Sequence, residues 1–122
     1  MAIRAITIAE FVPVQTRSNF LSPPIKRPHR PIAIVLFSDF PYGGSRWNVF
    51  LTKSDTPIAT PQPGDPDAFI ILDLQAVQTV RTVIPLTTTA TIEANVRLAV
   101  SFYNNRIDSS DYIVATYIYE EM

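Results

Sequence analysis

From Leu86 to Phe102 the even positions are Leu, Thr, Ala, Ile, Ala, Val, Leu, Val and Phe, while the odd positions run Thr, Thr, Thr, Glu, Asn, Arg, Ala and Ser. Successive side chains of a strand point to opposite faces, so alternation over seventeen residues reads as one long strand or two joined at a bend. A helix over residues 90–104, with Ile92, Val96, Ala99 and Tyr103 at helical spacing, is the competing reading. The run of three threonines and the β-branched content weigh against it.

Composition extends the strand reading to the whole chain. Val, Ile, Thr, Phe, Tyr and Trp supply 49 of the 122 residues, whereas the chain has only four Glu and two Lys to furnish exposed helix faces. A chain of this length forms one domain around one core. Eleven prolines against three glycines disfavour tight two-residue hairpins, whose positive φ calls for glycine or asparagine. Long, proline-stiffened connections are expected instead.

Residues 2–12 read as a first strand at a sheet edge, ended by Pro13. Residues 13–31, PVQTRSNFLSPPIKRPHRP, hold five prolines and no period, which reads as an extended basic arm of polyproline character. Ile32 to Phe37 is a continuous apolar run, the pattern of a strand covered on both faces. A glycine turn at residues 39–45 and an alternating strand, Arg46 to Lys53, make residues 32–53 the best hairpin candidate. Residues 54–67, with four prolines and three acidic groups, form a surface loop. Ala68 to Leu74 is a strand, residues 73–76 are a short turn or a bulge, and Val77 to Ile84 resumes extended structure up to Pro85. The sequence NNRIDSS at 104–110 is a turn, and Asp111 to Tyr119 is the last strand.

The expected fold is therefore all-β: a β-sandwich of about seven or eight strands, jelly-roll or immunoglobulin-like in connectivity, with an N-terminal strand and arm over residues 1–31 and a body over 32–122. A closed barrel would show short, regular turns that this chain lacks.

The raw material for catalysis is scarce. With no cysteine, disulfide scaffolds, thiolate zinc sites and cysteine nucleophiles lack their raw material, and one histidine leaves little for imidazole zinc sites or serine-histidine triads. No cofactor, metal or catalytic residue is expected, and the chain reads as a non-enzyme. Asp65, Asp67 and Asp73, and separately Asp108 and Asp111, lack the spacing and glycine of a calcium loop and read as solvated acidic groups. Nothing suggests a cleft between two carboxylates for glycoside hydrolysis. His29, in RPHRP, reads as a polar contact within an exposed arm. Tyr42, Trp47, Tyr117 and Tyr119 could stack on a glycan, although Trp47 alternates with Val49 and Leu51 and so reads as core.

Charge is divided along the chain. Residues 1–38 carry a balance of +4 and residues 39–122 one of −5, together the −1 of the whole. Such a division lets a basic segment dock on an acidic surface, including that of a second copy. The basic cluster Lys26, Arg27 and Arg30 is too short and too poor in aromatics for a nucleic-acid groove. The N-terminus has no uninterrupted apolar core for a secretory signal and no stretch that could span a bilayer, the pattern of a chain made in the cytosol.

Along the arm, Val14, Phe20, Leu21 and Ile25 are spaced as if to fill separate pockets. The expected role is structural, with no membrane or nucleic-acid partner: a capsid decoration (cement) protein or minor virion protein of a tailed bacteriophage. Its partners would be the major capsid protein or other virion subunits and its own copies, as a trimer or dimer. Phe20, Leu21, Ile25, Lys26, Arg27 and Arg30 would dock the arm on a neighbour, and deleting residues 1–31 would leave a folded body. The alternatives are an arm packed across its own sandwich and a carbohydrate-binding module of a tail or cell-surface protein.

Overall fold

A computed structural model describes residues 2–39, 45–57, 68–75, 81–86 and 90–122, with the side chains of Ile71 and Gln75 excepted. These residues form eight strands and no helix: β1 (Ile3–Val12), β2 (Thr16–Leu21), β3 (His29–Ser38), β4 (Arg46–Thr52), β5 (Ala68–Gln75), β6 (Arg81–Pro85), β7 (Arg97–Asn104) and β8 (Asp111–Glu121). They make two four-stranded antiparallel sheets, ordered β1-β8-β3-β6 (sheet A) and β2-β7-β4-β5 (sheet B). The inward residues of both belong to one apolar cluster, the arrangement of a β-sandwich.

The chain doubles back on itself. β1 pairs with β8, β2 with β7, β3 with β6 and β4 with β5. Every connection crosses from one sheet to the other except that between β4 and β5. Crossings between sheets do not use tight primed turns, which accounts for the scarcity of glycine.

The hairpin expected over residues 32–53 does not form. β3 lies in sheet A between β8 and β6, and β4 lies in sheet B between β7 and β5, so both sides of each strand are already occupied. Residues 40–44 of the expected glycine turn, including Tyr42, lie outside the described residues, as do 58–67 of the acidic loop, Ala76, 77–80 and 87–89.

Among the described residues of the alternating stretch 86–102, the strand begins at Arg97. Asn95, at φ 68°, breaks the ladder, and Ile92 and Val96 make isolated bridges to His29 and Ile25. Yet Ile92, Val96, Leu98, Val100 and Phe102 are all buried. The period of two reports burial on a common side; within it the hydrogen-bonded ladder covers only 97–102 of the described residues. The helical alternative for 90–104 is excluded by the same ladder.

The segment read as an extended arm is integrated into the sandwich. Thr16–Leu21 is β2, an edge strand of sheet B, and Ile25 is 4% exposed within the core. The boundary drawn at residue 31 falls inside β3. Deleting residues 1–31 would remove β1, β2 and the core side chains Ile8, Val12 and Ile25, so an intact body is not expected to remain. Pro31 stands at the register shift of β3, where a missing N–H is tolerated.

Within the core the rings of Trp47 and Phe102 meet edge to face at 4.8 Å. Phe102 is fully buried. Phe102→Ala should therefore cost about 3–5 kcal/mol, measured as a lower urea midpoint with an unchanged slope; a loss below about 1 kcal/mol would mean that this pair does not sit in a packed core.

Candidate interaction surfaces

Three places hold the side chains that could act on a partner: the charged end of sheet A, the opening between β1 and β2, and the outward sheet faces.

At the charged end, the ladder of β8 with β1 and β3 sets Glu120 and Glu121 beside three arginines. Arg4 Nε donates to Glu121 Oε2 at 2.8 Å, Arg30 Nη2 donates to Glu120 Oε2 at 3.0 Å, and Arg27 lies 3.9 Å from Glu121. The +4 segment is thus met in part by the acidic end of its own chain. Lys26 is exposed.

Beneath this belt lies a buried aromatic group that the sequence reading placed at the surface. His29 is fully buried, because β3 begins there and the side chain turns inward against Tyr117 and Tyr119. Its Nδ1 is 3.2 Å from the Arg27 carbonyl oxygen, and its Nε2 is 2.9 Å from the Tyr117 hydroxyl. A carbonyl only accepts, so Nδ1–H donates to Arg27, Nε2 is unprotonated, and the Tyr117 hydroxyl donates to it. Burial lowers the pKa of His29 below its ordinary value, opposed by the bond to the Arg27 carbonyl. Burial raises the Tyr117 hydroxyl far above its usual range, with a smaller contribution from Tyr119. This is a structural cluster holding neutral groups.

Of the candidate aromatics, the three that are described, Trp47, Tyr117 and Tyr119, are also turned inward. Trp47 is 4% exposed, and the Tyr117 and Tyr119 rings stack on each other at 5.3 Å inside the sandwich. None of these three offers a face to a sugar. Of the acidic groups, Asp73 pairs with Arg46 and Asp108 with Arg106, whereas Asp111 is buried and accepts from Ser38 Oγ at 2.8 and 3.0 Å. Asp65 and Asp67 lie outside the described residues. Among the described residues no three His, Asp or Glu side chains come together as a metal site.

The opening between β1 and β2 is a groove of about 570 Å³, flanked by the free edges of the two sheets. Phe20, Leu21, Asn19 and Pro23 line one side and Thr7, Ala9 and Glu10 the other. Its single carboxylate gives it no acid-base pair. Of the six residues expected to dock on a neighbour, Phe20 and Leu21 are half-buried in this groove, Ile25 is in the core, and Lys26, Arg27 and Arg30 are exposed. The groove was not legible in the sequence, because its two walls belong to strands of different sheets.

Neither a known family model nor a curated protein sequence matches the chain. Among the described residues no helix is long and apolar enough to cross a membrane.

His29 makes the fold sensitive to acid. Its folded pKa is depressed, so the unfolded chain binds the proton first: stability is complete above the unfolded value near about 6.5 and falls as pH drops through it, by at most about 1.4 kcal/mol per pH unit. His29 is the only histidine in the chain. Thermal melts between pH 7 and 5 should show this slope in the wild type and lose it in His29→Gln; a slope retained in the variant would assign it to other groups.

Proposed function

We propose that this protein is a structural component of a virion, a capsid decoration (cement) or minor virion protein of a tailed bacteriophage that binds shell subunits. The observation that carries this reading is the strand order. Two sheets are ordered β1-β8-β3-β6 and β2-β7-β4-β5 and are built from the nested pairs 1·8, 2·7, 3·6 and 4·5, an order that supports reading the fold as an eight-stranded jelly roll. That architecture is used by viral capsid domains. The supporting features are negative and positive together: the described lining of the groove between β1 and β2 has no acid-base pair, whereas the groove lies between two free strand edges and presents Phe20 and Leu21.

In this reading the shell subunit occupies the groove mouth lined by Phe20 and Leu21 and meets the exposed Lys26 and Arg27, whereas Arg30 is held by Glu120 at the end of sheet A. Ile25 takes no part, since it is committed to the core. Free edges accept main-chain hydrogen bonds from an extended segment, and the exposed cations steer an acidic partner.

The test is co-sedimentation of the purified protein with shells assembled from the major capsid protein encoded in the same genome. Saturable, salt-sensitive pelleting is expected, weakened several-fold in the Lys26→Glu/Arg27→Glu double variant because exposed charges act on encounter. Protein left wholly in the supernatant at low salt and saturating shell concentration overturns the reading.

A further inference from the structure

The outward faces of the two sheets differ in kind. On sheet B they carry Arg17 bonded to Ser101, the Arg46–Asp73 pair, Asn19 and Arg97, and the apolar Phe50 and Ala99 of that face are already buried within the chain. On sheet A the inward residues are Ile6, Ile8, Ile34, Leu36, Ile84, Ile113, Ala115 and their parity mates, so the opposite parity faces out. That outward set is apolar: Phe11, Val35, Phe37, Val83, Val114 and Ile118 dominate it. Phe11 is 67% and Val83 56% exposed. An antiparallel sheet with one solvated face normally alternates apolar with polar. β3 instead has the continuous apolar run of a strand covered twice, and one chain covers it once.

We infer that the outward face of sheet A is the contact between two copies of this chain, related by a two-fold axis parallel to the strands. Three observations choose a second copy. The face spans four strands and the length of β1 from Ile3 to Phe11. At sheet spacings this is on the order of 500 Å² in projection, close to the roughly 600 Å² per partner at the lower bound of stable interfaces.

The face is also self-complementary. An axis passing between β8 and β3 lays β8 of one copy over β3 of the other and β1 over β6. Register then sets Ile118 over the small Ala33, and Val114 over Phe37. At the end of the face, where Arg30 pairs with Glu120 across the ladder, the same operation sets each Arg30 over the Glu120 of the other copy. Both charges thereby gain a second opposite neighbour. An isologous contact needs this reciprocity. The face is distinct from the groove between β1 and β2, so the dimer and the binding of a shell can fail separately.

The experiment is sedimentation equilibrium of the full chain over a concentration series, with thermal melts as the folding control. Twice the monomer mass is expected. Val83→Lys, at an exposed position, should keep the melt and raise the dimer dissociation constant at least about tenfold, since it places an unpaired charge in an apolar contact. Arg30→Glu alone should weaken the dimer, and Arg30→Glu with Glu120→Arg should restore it. A monomer at every concentration, a trimer, or a dimer indifferent to Val83→Lys overturns the inference. A monomeric protein whose pelleting with shells is lost in Val83→Lys does so too and assigns the face to the shell subunit.

Discussion

The insertion of β8 between β1 and β3 is the constraint on which the remainder of the molecule depends. This eleven-residue strand pairs along nearly its whole length with both neighbours. Its inward parity supplies Ile113, Ala115, Tyr117 and Tyr119 to the core. Its outward parity supplies the centre of the apolar face. At its start, buried Asp111 is held by the hydroxyl of Ser38 from β3, and at its end Glu121 N donates to the Ala2 carbonyl. The two ends of the described chain are thereby joined through one ladder. Almost all of its stabilising contacts are long-range, as expected of a sandwich in which strands close in sequence lie in different sheets.

The same insertion resolves the charge division. Glu120 and Glu121 arrive beside Arg4, Arg27 and Arg30 because β1 and β3 flank β8. The pairs are solvent-exposed on the arginine side, and such pairs contribute about 0–1 kcal/mol each. Their effect lies in orientation more than in stability: they cap the end of the sheet under which His29, Tyr117 and Tyr119 are kept away from water. A net charge near zero therefore conceals an arrangement of complementary parts.

Several local features were legible. β1, β4, β5, β7 and β8 each begin or end within a few residues of the expected limits, because alternation, prolines and Asn-rich turns act over short distances. Asn104 illustrates this, its side-chain oxygen accepting from the Arg106 N–H in the turn predicted from NNRIDSS. β2 was missed because TRSNFL has no clean period; it exists because β7 offers a free edge to pair with. His29 was misplaced because its neighbours are arginine and proline, whereas its burial is decided by Tyr117, eighty-eight positions away. The groove between β1 and β2 has no sequence signature for the same reason.

The amino-acid sequence by itself determined the strand class, the absence of tight hairpins and which residues of most strands turn inward. These follow from backbone preference and a period of two, which are properties of a few adjacent residues. Tertiary structure alone decided the partner of each strand, the integration of residues 16–31 into the sandwich, the neutralisation of the arginines and the contrast between the two outward faces. Each of these is set by contacts between segments far apart in the chain. An apolar run such as Ile32 to Phe37 signals that both of its faces want cover, and only the assembled sheets reveal which face the chain covers for itself.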